Sequence, residues 1–150
     1  MSRPHNSDNQ LFDRKLDPST QALTLADARR PGAPLVYVNS GFEKMTGYTR
    51  VDAVGRNCRF LQGPETSAEA VTQMRSAIAA SRTLIIDVLN YRKDGSPFWN
   101  RLSLTPVKNP DGQATHYIGI QSDISRMRAL QDRLHEIALD IARTNMLALE

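Results

Sequence analysis

Apolar residues along the chain recur first at every second position, then at every third or fourth, then at every second again. They end on a long run at every third or fourth. Alternation marks half-buried strands, and spacing of three and four marks amphipathic helices. Ala22–Ala26 and Leu35–Val38 alternate and predict two strands, joined by a Pro- and Gly-rich turn over 29–34. A short helix is expected from a Ser40 cap to about Met45, closed by Gly47, and a further helical turn over 50–54, closed by Gly55. Ser67 opens the strongest helix of this part, with Val71, Met74, Arg75 and Ile78 on one face. Strands over 83–92 and 97–107 flank the hairpin turn Lys93–Ser96, and a strand over 115–124 follows a second turn at Asn109–Gly112. Strands, then helices, then a three-stranded meander read as an α+β fold, with no parallel crossover.

The two ends differ from this middle. Residues 1–21 are polar and aperiodic apart from Leu11, Phe12 and Leu16, so a flexible extension is expected, with one short helix across 9–16. A single domain is expected over 22–123. Over 124–150, Ile124, Met127, Leu130, Leu134, Ile137 and Ile141 form a stripe close to a coiled-coil seam. That helix either packs on its own domain or pairs with a second copy; the stripe runs past what a small sheet could cover.

Composition narrows the function classes. With 150 residues, 40% of them hydrophobic, the chain is long enough for one domain with a buried core. No apolar run approaches a membrane span, and the first ten residues hold no signal-peptide core, which points to the cytoplasm. The net charge is +3 and Arg29-Arg30 is the longest basic run, so no nucleic-acid or membrane partner is expected. The single cysteine, Cys58, excludes an intramolecular disulfide and a multi-cysteine metal site. His5, His116 and His135 fall on a tail, a strand and the final helix, so no metal site is expected. Phosphate-loop, zinc-protease, nucleophile-elbow and dinucleotide motifs are missing, and no enzymatic activity is expected.

Strand phasing isolates three amides. Asn90 shares a face with Ile86 and Val88, Asn100 with Phe98, Leu102 and Leu104, and Gln121 with Tyr117 and Gly119. A buried amide without a partner costs about 1–3 kcal/mol. Three on adjacent strands either share a polar partner, such as a flat neutral heterocycle with a donor–acceptor edge, or face solvent in part.

The segment GRNCRFLQG over 55–63 carries the most specific signal. With Tyr37-Val38-Asn39, Thr46-Gly47-Tyr48, the LNYRKDG run over 89–95, Phe98-Trp99-Asn100 and Ile118–Gln121 in order, it resembles the light-oxygen-voltage (LOV) class of PAS domains, blue-light receptors that bind flavin mononucleotide (FMN). The resemblance covers roughly residues 20–124. It implies an antiparallel five-stranded sheet with connecting helices around a flavin pocket. By position, Cys58 matches the cysteine that adds to flavin C4a after blue-light excitation. Asn57 and Gln62 match residues on the ribityl chain and ring, and Arg59 and Arg75 the phosphate clamp. Asn90 and Asn100 match readers of the pyrimidine edge, and Gln121 the glutamine beside N5 and O4. Leu25, Val88, Leu102 and Leu104 match apolar wall positions. Tyr117 stands where many relatives have Phe, and Ala26 where Thr is common; both are expected to tune the lifetime of the cysteinyl bond.

The resemblance further implies a switch relayed from Gln121 to the final helix. With no effector motif after 124, the chain looks like a short LOV protein, or a fragment of a larger photoreceptor. Its expected partners are FMN, a second copy through the helical extensions, and an unidentified downstream protein. The alternative is a PAS interaction module that dimerises without photochemistry.

Overall fold

The computed structural model describes residues 21–148. The extension over 1–20 and the helix expected across 9–16 lie outside the described residues. The elements run β1 (Ala22–Asp27), β2 (Leu35–Val38), α1 (Ser40–Thr46), α2 (Arg50–Ala53), a 3-10 helix (Cys58–Leu61), α3 (Ala68–Ala79), β3 (Leu84–Tyr91), β4 (Pro97–Lys108), β5 (Ala114–Asp123) and α4 (Ser125–Ala148). One five-stranded sheet has the order β2-β1-β5-β4-β3. Every neighbouring pair is antiparallel. The α+β class and the meander of the last three strands hold. The first and last strands lie side by side at the centre, with Ala22 opposite Gln121.

The helices over 40–79 cover the inner face, and capping sets where they begin. α1 is capped by Asn39, not by Ser40 as expected. The Asn39 carboxamide oxygen accepts from Phe42 N at 2.9 Å and from Leu23 N at 2.8 Å, so one buried side chain both starts the helix and fastens it to β1. Gly41 makes the approach possible: a Cβ there would lie 2.1 Å from the Gln21 carbonyl oxygen. Thr49 and Asp52 form a reciprocal capping box on α2. Asn57 caps the 3-10 helix, accepting from Arg59 N, and Ser67 caps α3. Ala22, Leu35, Val38, Phe42, Ala53 and Leu61 form the core at this end of the sheet.

α4 begins at Ser125, one residue after the expected start, and its first turn is tied to β4. Trp99 N donates to Ser125 Oγ at 2.9 Å, Ile124 N donates to Trp99 O, and the Arg128 guanidinium lies 3.8 Å from the Trp99 ring centroid. Beyond that turn the helix leaves the sheet. Leu130, Leu134 and Ile141 are 54%, 65% and 57% exposed, so the apolar stripe does not pack on its own domain. No helix among the described residues is long and apolar enough to cross a membrane.

Candidate functional site

Between the inner face of the sheet, α3 and the 3-10 helix lies a cavity of about 440 Å³. Small-molecule sites span roughly 300–1,000 Å³. The strand period places the amides as the sequence phasing predicts. Asn90, Asn100 and Gln121 all line the cavity, and all are buried. Antiparallel register sets them in a row across β3, β4 and β5, with Val88 opposite Asn100 and Leu102 opposite Gln121.

Their hydrogen bonds are incomplete in an informative way. Asn100 Nδ2 donates to Asn90 Oδ1 at 2.9 Å, and Gln121 Nε2 donates to Thr24 Oγ1 at 3.0 Å. That leaves Asn100 Oδ1 and Gln121 Oε1 buried without a donor. Such orphaned acceptors are uncommon in folded proteins, because each forfeits about 1–3 kcal/mol. Two of them on one cavity wall fit a ligand carrying N–H donors on a flat edge. Beside them, a Cβ on Gly119 would lie 2.3 Å from Thr24 Oγ1 and 3.0 Å from Gln121 Nε2, so only glycine leaves this wall flat.

Opposite the sheet stands Cys58, at the start of the 3-10 helix. The turn is fixed at both ends: Asn57 Oδ1 accepts from Arg59 N at 2.8 Å, Asn57 Nδ2 donates to Gly32 O, and Gln62 N donates to Arg59 O. Cys58 is a free thiol on the cavity wall. Burial pushes it up to about 12, so it stays protonated at neutral pH. A neutral thiol facing an apolar chamber is a poor nucleophile toward ordinary electrophiles. It is suited to a partner that becomes reactive only on demand and can take the thiol proton.

α3 closes the far side. Val71, Met74, Arg75 and Ile78 all line the cavity, as their shared helical face predicts. Leu102, Leu104 and Val88 supply apolar wall, with Leu61 and Leu35 from the core end. The polar end is the mouth, where Arg30, Arg59 and Arg75 meet from three elements, all exposed.

Of the residues singled out from sequence, Asn57, Cys58, Arg59, Gln62, Arg75, Val88, Asn90, Asn100, Leu102, Leu104, Tyr117 and Gln121 meet at this cavity. Leu25 does not. It pairs with Tyr37 and Ile118 on the opposite face of β1, while its neighbours Thr24 and Ala26 face the cavity. Tyr117 lines the wall but sends its hydroxyl away. The group donates toward Ala77 O at 3.2 Å and Arg82 O at 3.4 Å, at the end of α3. Thr24 and Arg30 were missed, and Gly119 was placed on the Gln121 face without a role. Thr24 shares the period-two face of Ala22 and Ala26 on β1, opposite Gly119, and Arg30 stands in the turn between the first two strands.

A PAS domain family matches residues 29–126 of the chain. Phototropin-2 of Oryza sativa subsp. japonica is 46% identical over 106 residues, 71% of this chain and 12% of that protein. Blue-light-activated histidine kinase 1 of Erythrobacter litoralis is 45% identical over 116 residues, 77% of this chain and 32% of the kinase. The chain thus spans about a third or less of these two relatives' length. Among solved structures, the LOV domain of the Erythrobacter litoralis EL346 blue-light activated histidine kinase superposes with a TM-score of 0.67 at 44% identity, covering 69% of this chain and 95% of that one. An RNA-binding light-oxygen-voltage receptor superposes with a TM-score of 0.79 at 36% identity, covering 92% of this chain and 40% of that one.

Proposed function

The chain belongs to the PAS family, in its LOV class of blue-light-sensing domains, with a flavin as the implied cofactor, and on that premise we propose that it is an FMN-binding photoreceptor, not an enzyme, acting through a reversible bond at Cys58. The observation that carries the proposal is the pairing, across one cavity, of a protonated thiol with two orphaned amide oxygens. Bound there, a flavin would supply blue-light absorption and, when excited, an electrophilic ring carbon, and Cys58 would be the residue that gives its sulfur to that carbon and its proton to the ring, reversibly in darkness.

The chain's residues divide the work. Asn90 and Asn100 hold the ring by its polar edge, and Val88, Leu102 and Leu104 exclude water from it. Asn57 and Gln62 fix the 3-10 turn and with it the aim of the Cys58 sulfur. Arg59 and Arg75 take the phosphate, where guanidinium geometry matches phosphoryl oxygens. Gln121 is the relay. Its amide presents Oε1 to the cavity and Nε2 to Thr24, and half a turn about its last torsion exchanges donor for acceptor. Because Thr24 Oγ1 can donate or accept, it can follow that exchange. Gln121 lies three residues before Ile124, whose amide is tied to Trp99 at the root of α4. A reordered bond on β5 therefore reaches the helix within one strand.

The division of the chain into an extension over 1–21, a sensor domain over 22–123 and an output helix over 124–150 belongs to the same proposal, as does homodimerisation through the α4 stripe. The test is the visible absorption spectrum of the purified protein before and after a blue-light pulse. A structured blue band that bleaches and returns in darkness is expected, and Cys58→Ala should keep the band while losing that bleaching. A protein with no flavin band after refolding with FMN would leave a light-independent PAS interaction module.

A further inference from the structure

The mouth of the cavity holds one more cation than the two-arginine clamp requires. The turn joining β1 to β2 carries adjacent arginines with opposite fates. Arg29 is held by Asp27, through Nε to Oδ1 at 3.0 Å and Nη2 to Oδ2 at 3.2 Å. This ion pair lowers Asp27 to about 2. Arg30 has no carboxylate partner among the described residues and lines the cavity beside Arg59 and Arg75. None of these three guanidiniums forms an ion pair among the described residues. Three unpaired cations around one opening repel one another, and an anion seated between them relieves that repulsion.

The turn is built to stay where it is. Asp27 N donates to Pro34 O at 2.9 Å, and Ala33 N to Arg30 O at 3.0 Å. Leu35 N donates to Arg56 O at 2.9 Å. Asn57 Nδ2 donates to Gly32 O, fastening the turn to the 3-10 helix that carries Cys58 and Arg59. Ala33 adopts φ 43°, a left-handed conformation that non-glycine residues seldom take, which the surrounding bonds hold in place. Arg30 is therefore presented from a fixed platform.

We propose that Arg30 is a third phosphate-binding side chain, contributed by the β1–β2 turn, and that it makes the cavity selective for a phosphorylated flavin over the uncharged nucleoside-like form. The inference rests on the flavin reading above and assigns a residue outside its two-arginine clamp. It is tested on the full chain freed of flavin and titrated with FMN and with riboflavin, following quenching of flavin fluorescence. Wild type, Arg30→Ala and Arg29→Ala are compared. Arg29→Ala removes the same charge one residue away, from a side chain already engaged by Asp27. The expected result is that Arg30→Ala lowers the FMN-to-riboflavin affinity ratio about tenfold, the scale of one charge-assisted hydrogen bond, while Arg29→Ala leaves that ratio near wild type. An unchanged ratio in Arg30→Ala overturns the assignment, as does an equal fall in both variants, which would mean a diffuse charge effect. If wild type binds neither flavin, the flavin reading itself fails, and that result is separable from the other two.

Discussion

At the scale of single residues, Cys58 makes the sharpest claim. Its thiol is raised from an ordinary 9.0 to about 12 by desolvation. A folded state that holds its proton more tightly than the unfolded chain loses stability as pH climbs through the window between those values. Alkylation by iodoacetamide as a function of pH checks this. In denaturant the rate should level off near pH 9, whereas in the folded protein it should still be rising two pH units higher. A folded-state profile that levels near pH 9 would mean that the sulfur is hydrated. The three amides were legible in sequence because a period of two fixes which strand residues share a face, and Cys58 through the specific 55–63 segment that carries it. Leu25 was misplaced for an instructive reason. On β1 the bulky residues Leu23 and Leu25 look like the core face, yet the inner face carries Ala22, Thr24 and Ala26. A wall beside a ligand-sized cavity takes small residues, so the usual size rule inverts there. Arg30 was unreadable because nothing local shows where the turn docks.

At the scale of elements, the ends of α1 and α3 show side chains doing what backbone periodicity does not record. The 3-10 helix is four residues long, too short to carry a period, and it went unpredicted although its residues were named. Capping by Asn39 instead of Ser40 follows from its second bond, to Leu23 N, which requires β1 alongside. Tyr117 shows the same lesson. The sequence reading expected Tyr117 to tune the lifetime of the cysteinyl bond; its hydroxyl instead bonds the chain where α3 ends, at Ala77 O, which also accepts from Arg82 N, and at Arg82 O. Tyr117→Phe should therefore lower stability by about 1 kcal/mol, read from urea unfolding, and leave the position of the flavin absorption band unchanged. A shifted band with unaltered stability would return the hydroxyl to the cavity.

At the scale of the whole molecule, α4 is the unfinished part. Its stripe of Met127, Leu130, Leu134, Ile137 and Ile141 has nothing over it among the described residues, although isolated exposed apolar residues are ordinary and a continuous seam is not. The proposed homodimer predicts that Leu134→Glu combined with Ile141→Glu shifts the protein from dimer to monomer in light scattering after size exclusion, with the flavin band retained. A wild-type protein that is already monomeric across micromolar concentrations would remove the dimer from the proposal. Element order and the amphipathic helix were plain from the pattern of apolar residues. What lies on that seam was not, because a stripe specifies a surface and not its occupant.

The central pairing of β1 with β5 has one more consequence. Ala22 sits directly across from Gln121, so among the described residues the chain enters and leaves the sheet about 5 Å apart. In engineering terms the sensor is a cassette. It can be grafted into a surface loop of an unrelated host without prying the host open, because insertion is tolerated where the two ends of the guest meet. The strand that leaves the cassette is the one carrying Gln121, so the splice point at that end would be the point that moves.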